Sequence, residues 1–278
     1  MQYRDYHVHL ERGPYTVEWM KRFLDEGRKK GVIEIGFSEH GHRFVQAGDI
    51  YRSSGYRGRW AASEATEDIE EYIDIVEKAK SLGFPVKLGI EMDYIPEYEE
   101  EIREFVNRYP FDYVLGAVHW LGDFGFDNPD LFDEWERRDV DRTYEEYFDV
   151  LLKAVRSGIF DCIAHPDVIK VFGHRARRDM GGIYAEVARA LKEKDICAEV
   201  STAGLRKPAG ELYPSPLMME YFKEYDVQLL INSDAHEPED VGRDFDKALE
   251  FLKGYGYDRL FYFHRRKKMV SRLSEVEV

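Results

Sequence analysis

Six short apolar runs, spread along nearly the whole chain, each end in a histidine, a carboxylate or both. They read Asp5-Tyr6-His7-Val8-His9, Gly36-Phe37-Ser38-Glu39-His40, Gly89-Ile90-Glu91-Met92-Asp93, Gly116-Ala117-Val118-His119, Ile163-Ala164-His165-Pro166-Asp167 and Asn232-Ser233-Asp234-Ala235-His236. With His42, two residues past His40, these runs hold seven of the nine histidines. One such histidine would mean little. Six repeats of the pattern need a fold in which distant strand ends meet at one place.

The segments between the runs narrow the choice. Strand-like stretches are expected at Tyr3–His9, Glu34–Ser38, Pro85–Met92, Tyr113–His119, Cys162–His165, Cys197–Thr202 and Gln228–Ser233. Most are continuously apolar, as in a parallel sheet covered on its outer face. Amphipathic helices are expected at about 16–30, 64–82, 97–109, 142–157, 179–194, 216–226 and 238–254. Repeated strand–helix units make a doubly wound sheet or a barrel. No glycine-rich loop follows the first strand, which argues against a dinucleotide-binding half-fold. In an open sheet, ligand types would cluster at one switch point; in a barrel all strand ends share one mouth. The reading is therefore an α/β barrel of about seven strands, TIM-like, in a single domain over 1–278. The connections Gly41–Ala62 and Leu121–Asp141 are long enough to cover that mouth.

Composition limits the partners. Forty basic against 55 acidic residues give a net charge of −15, a field that repels a phosphate backbone, so no nucleic acid is expected. The basic run Arg265-Arg266-Lys267-Lys268 reads as a solvated helix end. No apolar stretch reaches membrane-spanning length and the N-terminus carries charges where a signal peptide is apolar, so a cytoplasmic protein without membrane contact is expected. Cys162 and Cys197 lie in apolar runs without C-x-x-C spacing and read as buried reduced thiols. Oligomeric state is left open.

His7 and His9 are spaced to point to one side of a strand, and Asp234 and His236 repeat that spacing at the far end of the chain. The first and last strands of a closed barrel are neighbours, so the two pairs are expected to converge. Glu91 ends an apolar strand, where a carboxylate needs a partner, and its two oxygens can bridge two cations. Asp93 is placed to orient a neighbouring ligand. His119 and His165 complete a mixed N/O set suited to Zn, Mn or Fe, and Pro166 is expected to keep His165 extended. His40 is a ligand candidate; His42 is open to readings as a ligand, a substrate contact or a surface residue. His174 and His264 lie off the pattern. No serine sits in G-x-S-x-G, so metal-activated water is the simpler nucleophile. The loop Thr202–Pro208 carries Arg206 and Lys207 after the sixth expected strand, suited to an anionic substrate.

Taken together, these residues resemble the polymerase-and-histidinol-phosphatase (PHP) superfamily, and more closely its monofunctional histidinol-phosphate phosphatases. Besides the six runs, Glu91-Met92-Asp93-Tyr94, Pro110-Phe111-Asp112-Tyr113 and Ala203-Gly204-Leu205-Arg206-Lys207 carry the likeness. The resemblance implies a distorted (β/α)7 barrel with two or three divalent transition-metal ions. It places His7, His9, Glu91 and Asp234 on one ion, Glu91, His119 and His165 on a second, and His40 with His236 on a third. Many members carry a further histidine soon after the H-x-H pair; here the chain reads Leu10-Glu11-Arg12, and Glu11 is the candidate in its place. Arginines bind phosphate in the family; Arg206 matches well and Arg175 loosely. The expected activity is hydrolysis of the small substrate L-histidinol phosphate to L-histidinol and phosphate, with Glu91, Asp234 and His236 carrying catalysis. The competing expectation is a phosphoesterase of the same superfamily acting on another small ester or on nucleic-acid ends.

Overall fold

The computed structural model describes residues 2–273. Among these residues the strands are β1 (Tyr3–Val8), β2 (Val32–His40), β3 (Val86–Asp93), β4 (Tyr113–Ala117), β5 (Trp120–Leu121), β6 (Phe124–Gly125), β7 (Cys162–Ile163), β8 (Cys197–Ser201), β9 (Leu229–Asn232), β10 (Arg259–His264) and β11 (Lys267–Arg272). The helices are α1 (Val17–Lys29), α2 (Tyr56–Glu64), α3 (Ile69–Ser81), α4 (Glu99–Arg108), α5 (Val140–Ser157), α6 (Gly181–Lys194), α7 (Pro216–Glu224) and α8 (Phe245–Gly254). Seven strands form one parallel sheet in the order β1-β2-β3-β4-β7-β8-β9. They are the seven expected strand-like stretches, and they make the expected distorted barrel.

The barrel closes between β1 and β9, but not by a regular ladder. Val8 and Ala235 form an isolated bridge, with His9 N donating to Ala235 O (2.8 Å) and Ala235 N to His7 O (3.1 Å). Below it, side chains sew the seam: Tyr6 N donates to Asn232 Oδ1 (2.8 Å), while the buried Asp5 accepts from Ser233 N (3.0 Å) and the Ser233 hydroxyl (2.5 Å). Burial pushes the Asp5 carboxyl up, against the pull of these donors. The first and last strands are thus neighbours, as their paired ligand motifs require.

Two layers of apolar packing surround the sheet. Outside, the helices bury stripes such as Ile69, Tyr72, Ile73 and Val76 of α3 against the strands. Asp68 caps this helix by accepting from Glu70 N (2.8 Å), and Asp139 caps α5 through Arg142 N (3.1 Å), satisfying amides left free at a helix start. Inside, Tyr6, Tyr113 and Phe263 fill the barrel below the ligands, with Tyr6 and Tyr113 stacked 5.0 Å apart and Tyr113 and Phe263 6.1 Å apart. Gly36 and Gly89 make room for Tyr113: a Cβ at either would lie within 2.3 Å of its side chain. Cys162 and Cys197, in register on β7 and β8, are buried free thiols in this layer.

Register explains how β1 serves both layers. Asp5 pairs with Ile35 but Val8 with Phe37, so β1 carries one extra residue between them. Such a bulge re-aims side chains. Tyr6 enters the inner core, while His7 and, beyond the strand, His9 reach the mouth.

Two expectations need correction. Residues 265–268 do not end a helix. They form the tip of the β10–β11 hairpin and the start of β11, with Arg265 (φ +50°) and Arg266 (φ +61°) in the turn. Both positions need positive φ in a tight hairpin of this hand, a role more often given to Asn or Gly. Arg266 is held there by Asp161 (2.7 Å) and its own N–H to Asp112 O (2.7 Å). The last helix begins at Phe245, since Pro238–Asp240 forms only a single turn. Among the described residues no helix is long and apolar enough to cross a membrane.

Candidate metal centre

The mouth gathers the ligand-type side chains around one carboxylate. Glu91, at the end of β3 and 2% exposed, sends its two oxygens in different directions. Oε1 lies 2.9 Å from His165 Nε2 and 3.8 Å from His119 Nε2. Oε2 lies 2.7 Å from His40 Nδ1, 3.4 Å from His7 Nε2 and 3.8 Å from His9 Nε2. Asp234 closes the other side, its Oδ1 3.4 Å from His9 Nε2 and 3.6 Å from both His7 Nε2 and His236 Nδ1.

Four sets of donors are compact enough to surround a cation: His7, His9 and Glu91; His7, His165 and Asp234; Glu91, His119 and His165; and His9, His40 and His236. The sets overlap, so Glu91, His7, His9 and His165 each belong to two. The third matches the expected second ion. The first holds three of the four ligands expected for the first ion, the fourth adds His9 to the expected His40–His236 pair, and in the second Asp234 meets His165 as well as His7. Glu11 reaches the rim, its Oε1 3.6 Å from His236 Nε2.

Whether these residues suit metal can be judged from what they leave unpaired. His7 Nε2, His9 Nε2 and Glu91 Oε2 are buried and make no aligned hydrogen bond. Buried polar atoms without partners are costly, and a cation among them would satisfy all three. The electrostatics agree. Burial opposes charge on His7, yet Glu199, Glu91 and Asp234 hold its pKa well above the ordinary value. Burial likewise opposes charge on His9, but Asp234 and Glu39 raise it to about 9; on His119, Asp93 and Asp127 raise it to about 10. Glu91 and Asp234 resist their own burial and are held well below the carboxylate range, chiefly by His7. The site is a sink for positive charge. Further out that reverses: burial lowers His236 to about 4 and pushes His42 down, helped by His9 and His40 respectively.

Outer carboxylates hold the rings. Asp93 Oδ1 lies 2.7 Å from His119 Nδ1, the orienting role read for it in the sequence, and Asp93 is itself steadied by the Tyr51 hydroxyl (3.0 Å). Glu199 lies 2.8 Å from His7 Nδ1. Glu39 lies 3.5 Å from His9 Nδ1 and accepts from Leu10 N (2.9 Å). Carboxylate–imidazole pairs of this kind direct the other ring nitrogen at a metal. Glu39 and Glu199 were not singled out in the sequence, although both are carboxylates inside buried strands.

His165 departs from expectation. Its φ is +23°, not extended, despite Pro166. Its backbone N–H donates to Glu199 Oε2 (2.7 Å) while its ring turns to Glu91.

The expected anion-binding residues separate. Arg206 Nη2 donates to the carbonyls of Ser233 (2.7 Å) and Asp234 (3.3 Å), placing the guanidinium beside the cluster, and its Nη1 is buried without a hydrogen bond. Lys207 is exposed. Arg175 points elsewhere, bound to Glu211 (2.5 Å) and Ala209 O (2.7 Å) beside the buried Lys170. His174 stacks on Trp135 (4.4 Å) and His264 lies by Lys87, both away from the mouth.

A cleft of about 330 Å³ opens onto the cluster. The two long connections and the residues flanking them wall it: His42, Trp60 and Glu64 on one side, Trp120, Asp127 and Asn128 on the other. The two indoles are 5.0 Å apart, and His42 lies 4.6 Å from Trp60. Asp127, unmarked in the sequence reading, has its Oδ2 3.9 Å from His119 Nε2, and burial raises its pKa.

The chain is similar to known proteins over most of its length. A probable histidinol-phosphatase of Deinococcus radiodurans is 34% identical over 266 residues, covering 94% of this chain and 97% of that protein. The histidinol-phosphatase of Bacillus subtilis is 26% identical, covering 90% and 99%. The crystal structure of histidinol phosphate phosphatase from Lactococcus lactis, complexed with zinc, L-histidinol and phosphate, shares the fold with a TM-score of 0.76 at 22% identity, covering 97% of this chain and all of that one. Residues 5–203 match the PHP domain, and the chain belongs to the PHP-domain family.

Proposed function

We propose that this protein is a metal-dependent phosphomonoesterase that converts L-histidinol phosphate to L-histidinol and inorganic phosphate, a step of histidine biosynthesis. The observation that carries the reading is the single buried Glu91 carboxylate facing His165 and His119 with one oxygen and His40, His7 and His9 with the other. Two or three divalent transition ions, with Zn, Mn and Fe the candidates, suit this mixed nitrogen and carboxylate set better than Mg does. When bound, the ions supply Lewis acidity toward the phosphoryl oxygens and lower the pKa of water.

The chain's own residues do the rest. His7, His9, His119, His165, Glu91 and Asp234 hold the ions, with His40, His236 and Glu11 at the outer group. Arg206 offers its free Nη1 to a phosphoryl oxygen while Nη2 stays on the Ser233–Asp234 backbone. Burial lowers the His236 pKa to about 4, so its ring is neutral at physiological pH and suited to hold an ion at the rim rather than repel it. The leaving group lies in the cleft, its ammonium and imidazole beside Asp127, Glu64 and the faces of Trp60 and Trp120. The homologous histidinol-phosphatases support this substrate.

Steady-state kinetics on L-histidinol phosphate, beside glycerol phosphate, p-nitrophenyl phosphate and single-stranded DNA, test the proposal. Preference for histidinol phosphate, abolished by chelation and restored by Mn, Zn or Fe, is the expected result. Faster turnover of the DNA, or equal activity on all esters, would overturn the assignment.

A further inference from the structure

Glu199 lies in the middle of β8, 0% exposed, between Ala198 and Val200 of a strand that is otherwise apolar around it. Three donors from three other strand ends converge on its carboxylate. Oε1 is 2.8 Å from His7 Nδ1, on β1, and accepts from Asn232 Nδ2 at 2.8 Å, on β9. Oε2 accepts from the backbone N–H of His165 at 2.7 Å, just past β7. His7 and His165 are each shared between two donor sets, and both belong to the set completed by Asp234.

We propose that Glu199 is a positioning residue for two metal sites at once, fixing His7 through its ring and His165 through its backbone. This inference rests on reading the cluster as a metal centre. On the His7 side, a carboxylate at Nδ1 selects the tautomer with the proton there, leaving the Nε2 lone pair free and directed at Glu91 and Asp234. On the His165 side, a residue before proline is disfavoured from turning away from extended backbone, and positive φ is costly without glycine. The N–H bond to Glu199 ties the backbone of this turn to β8. The same turn brings the His165 ring to Glu91.

The geometry makes the amide variant informative. Glutamine has one acceptor oxygen where glutamate has two. With that oxygen toward His165 N–H, the side-chain NH2 faces the Asn232 amide and His7 Nδ1. Asn232 cannot flip to accommodate it without losing the Tyr6 N–H on its Oδ1. His7 would then accept at Nδ1 and carry its proton on Nε2, where the metal must bind. With the amide reversed, NH2 meets the His165 N–H and releases the positive-φ turn. Either orientation spoils one ligand.

Metal-free wild type, Glu199→Gln and Glu199→Asp are titrated with Zn²⁺ against a chromophoric chelator, with circular dichroism and thermal midpoint recorded for each. Glu199→Gln is expected to stay folded and to bind at least one zinc about 10- to 100-fold more weakly, the range for losing an outer carboxylate partner. Glu199→Asp, which keeps two charged oxygens, is expected to recover part of the loss. In a second measurement, on zinc-loaded wild type, long-range ¹H–¹⁵N spectra of the imidazoles are expected to show His7 protonated at Nδ1; this decides the matter even if the amide variant fails to fold. Zinc affinity in folded Glu199→Gln within about twofold of wild type, or a proton on His7 Nε2, overturns the proposal alone. Wild type that takes up no zinc overturns the metal reading and this proposal with it.

Discussion

Glu91 Oε1 stands 2.9 Å from His165 Nε2, while the same carboxylate's second oxygen serves a different group of histidines. The carboxylate thus joins the two halves of the cluster. Glu91→Gln keeps the shape and removes the bridging charge. It is expected to lose bound metal and at least about 10²-fold in kcat, as when a main stabiliser of transition-state charge is removed. Elemental analysis of the purified variant checks the first part and steady-state kinetics the second. Full metal content with near-normal kcat would make Glu91 a structural ion-pair partner.

The pH behaviour of chelated protein has a definite sign. His9 and His119 are raised to about 9 and about 10, above the ordinary value near 6.5. A folded-state pKa above the unfolded one gives stability that is fully present below the unfolded pKa and lost as pH rises through the folded one. The thermal midpoint of chelated protein is therefore expected to fall from pH 6.5 to 10. Metal must also displace these protons, so zinc binding at pH 7 is expected to release them to the buffer. Calorimetry in buffers of different ionisation enthalpy measures that release. A flat midpoint across the range together with no proton release would contradict the charge states.

Much of the centre was legible because chemistry restricts which residues can end a buried strand. His7, Glu91, His119, His165 and Asp234 interrupt apolar runs where nothing else about a core calls for them. The seam between the H-x-H and D-x-H pairs followed from closing the barrel. What stayed hidden depends on register rather than on local pattern. Glu199 looks like any mid-strand carboxylate until β7, β8 and β9 are laid side by side, when Ser201 pairs with Asn232 and Glu199 comes to face His165 and His7. The turn at His165 is set by a residue 34 positions away. Asp127 lies on a long connection whose path no periodicity specifies. The terminal hairpin was masked by four cations, which resemble a solvated helix end until Phe263 is seen inside the barrel.

Arg206, the proposed phosphate contact, also holds backbone. Its Nη2 clamps the carbonyls of Ser233 and Asp234, and Asp234 sits at φ +52°. Arg206→Ala is therefore expected to raise KM and lower kcat/KM by about 10- to 150-fold, equivalent to roughly 1.5–3 kcal/mol. From sequence alone, metal content should be untouched; the clamp predicts instead that the site closed by Asp234 also binds metal more weakly. Arg206→Lys should recover only part of either effect, having charge without the planar fork. Unchanged kcat/KM and zinc affinity in the alanine variant would leave the residue without a part in the site.

The cleft makes the final prediction, on selectivity. Asp127 and Glu64 are carboxylates beside two indole faces, an environment that favours a cation over a neutral polyol. Glu64 is already opposed by Arg43 at 3.5 Å, whereas among the described residues the cation-forming group facing Asp127 is His119, at 3.9 Å, so Asp127 is the less neutralised of the two. Asp127→Asn is expected to lower kcat/KM for L-histidinol phosphate by about 10-fold or more, the scale of losing one charge-assisted contact. Because Asp127 also borders a metal ligand, the decisive quantity is a ratio. Any effect through His119 acts on every substrate and cancels when histidinol phosphate is compared with glycerol phosphate. That ratio is expected to fall in Asp127→Asn and to fall again in Trp60→Ala. A ratio equal to wild type in both variants would move the leaving group out of this cleft.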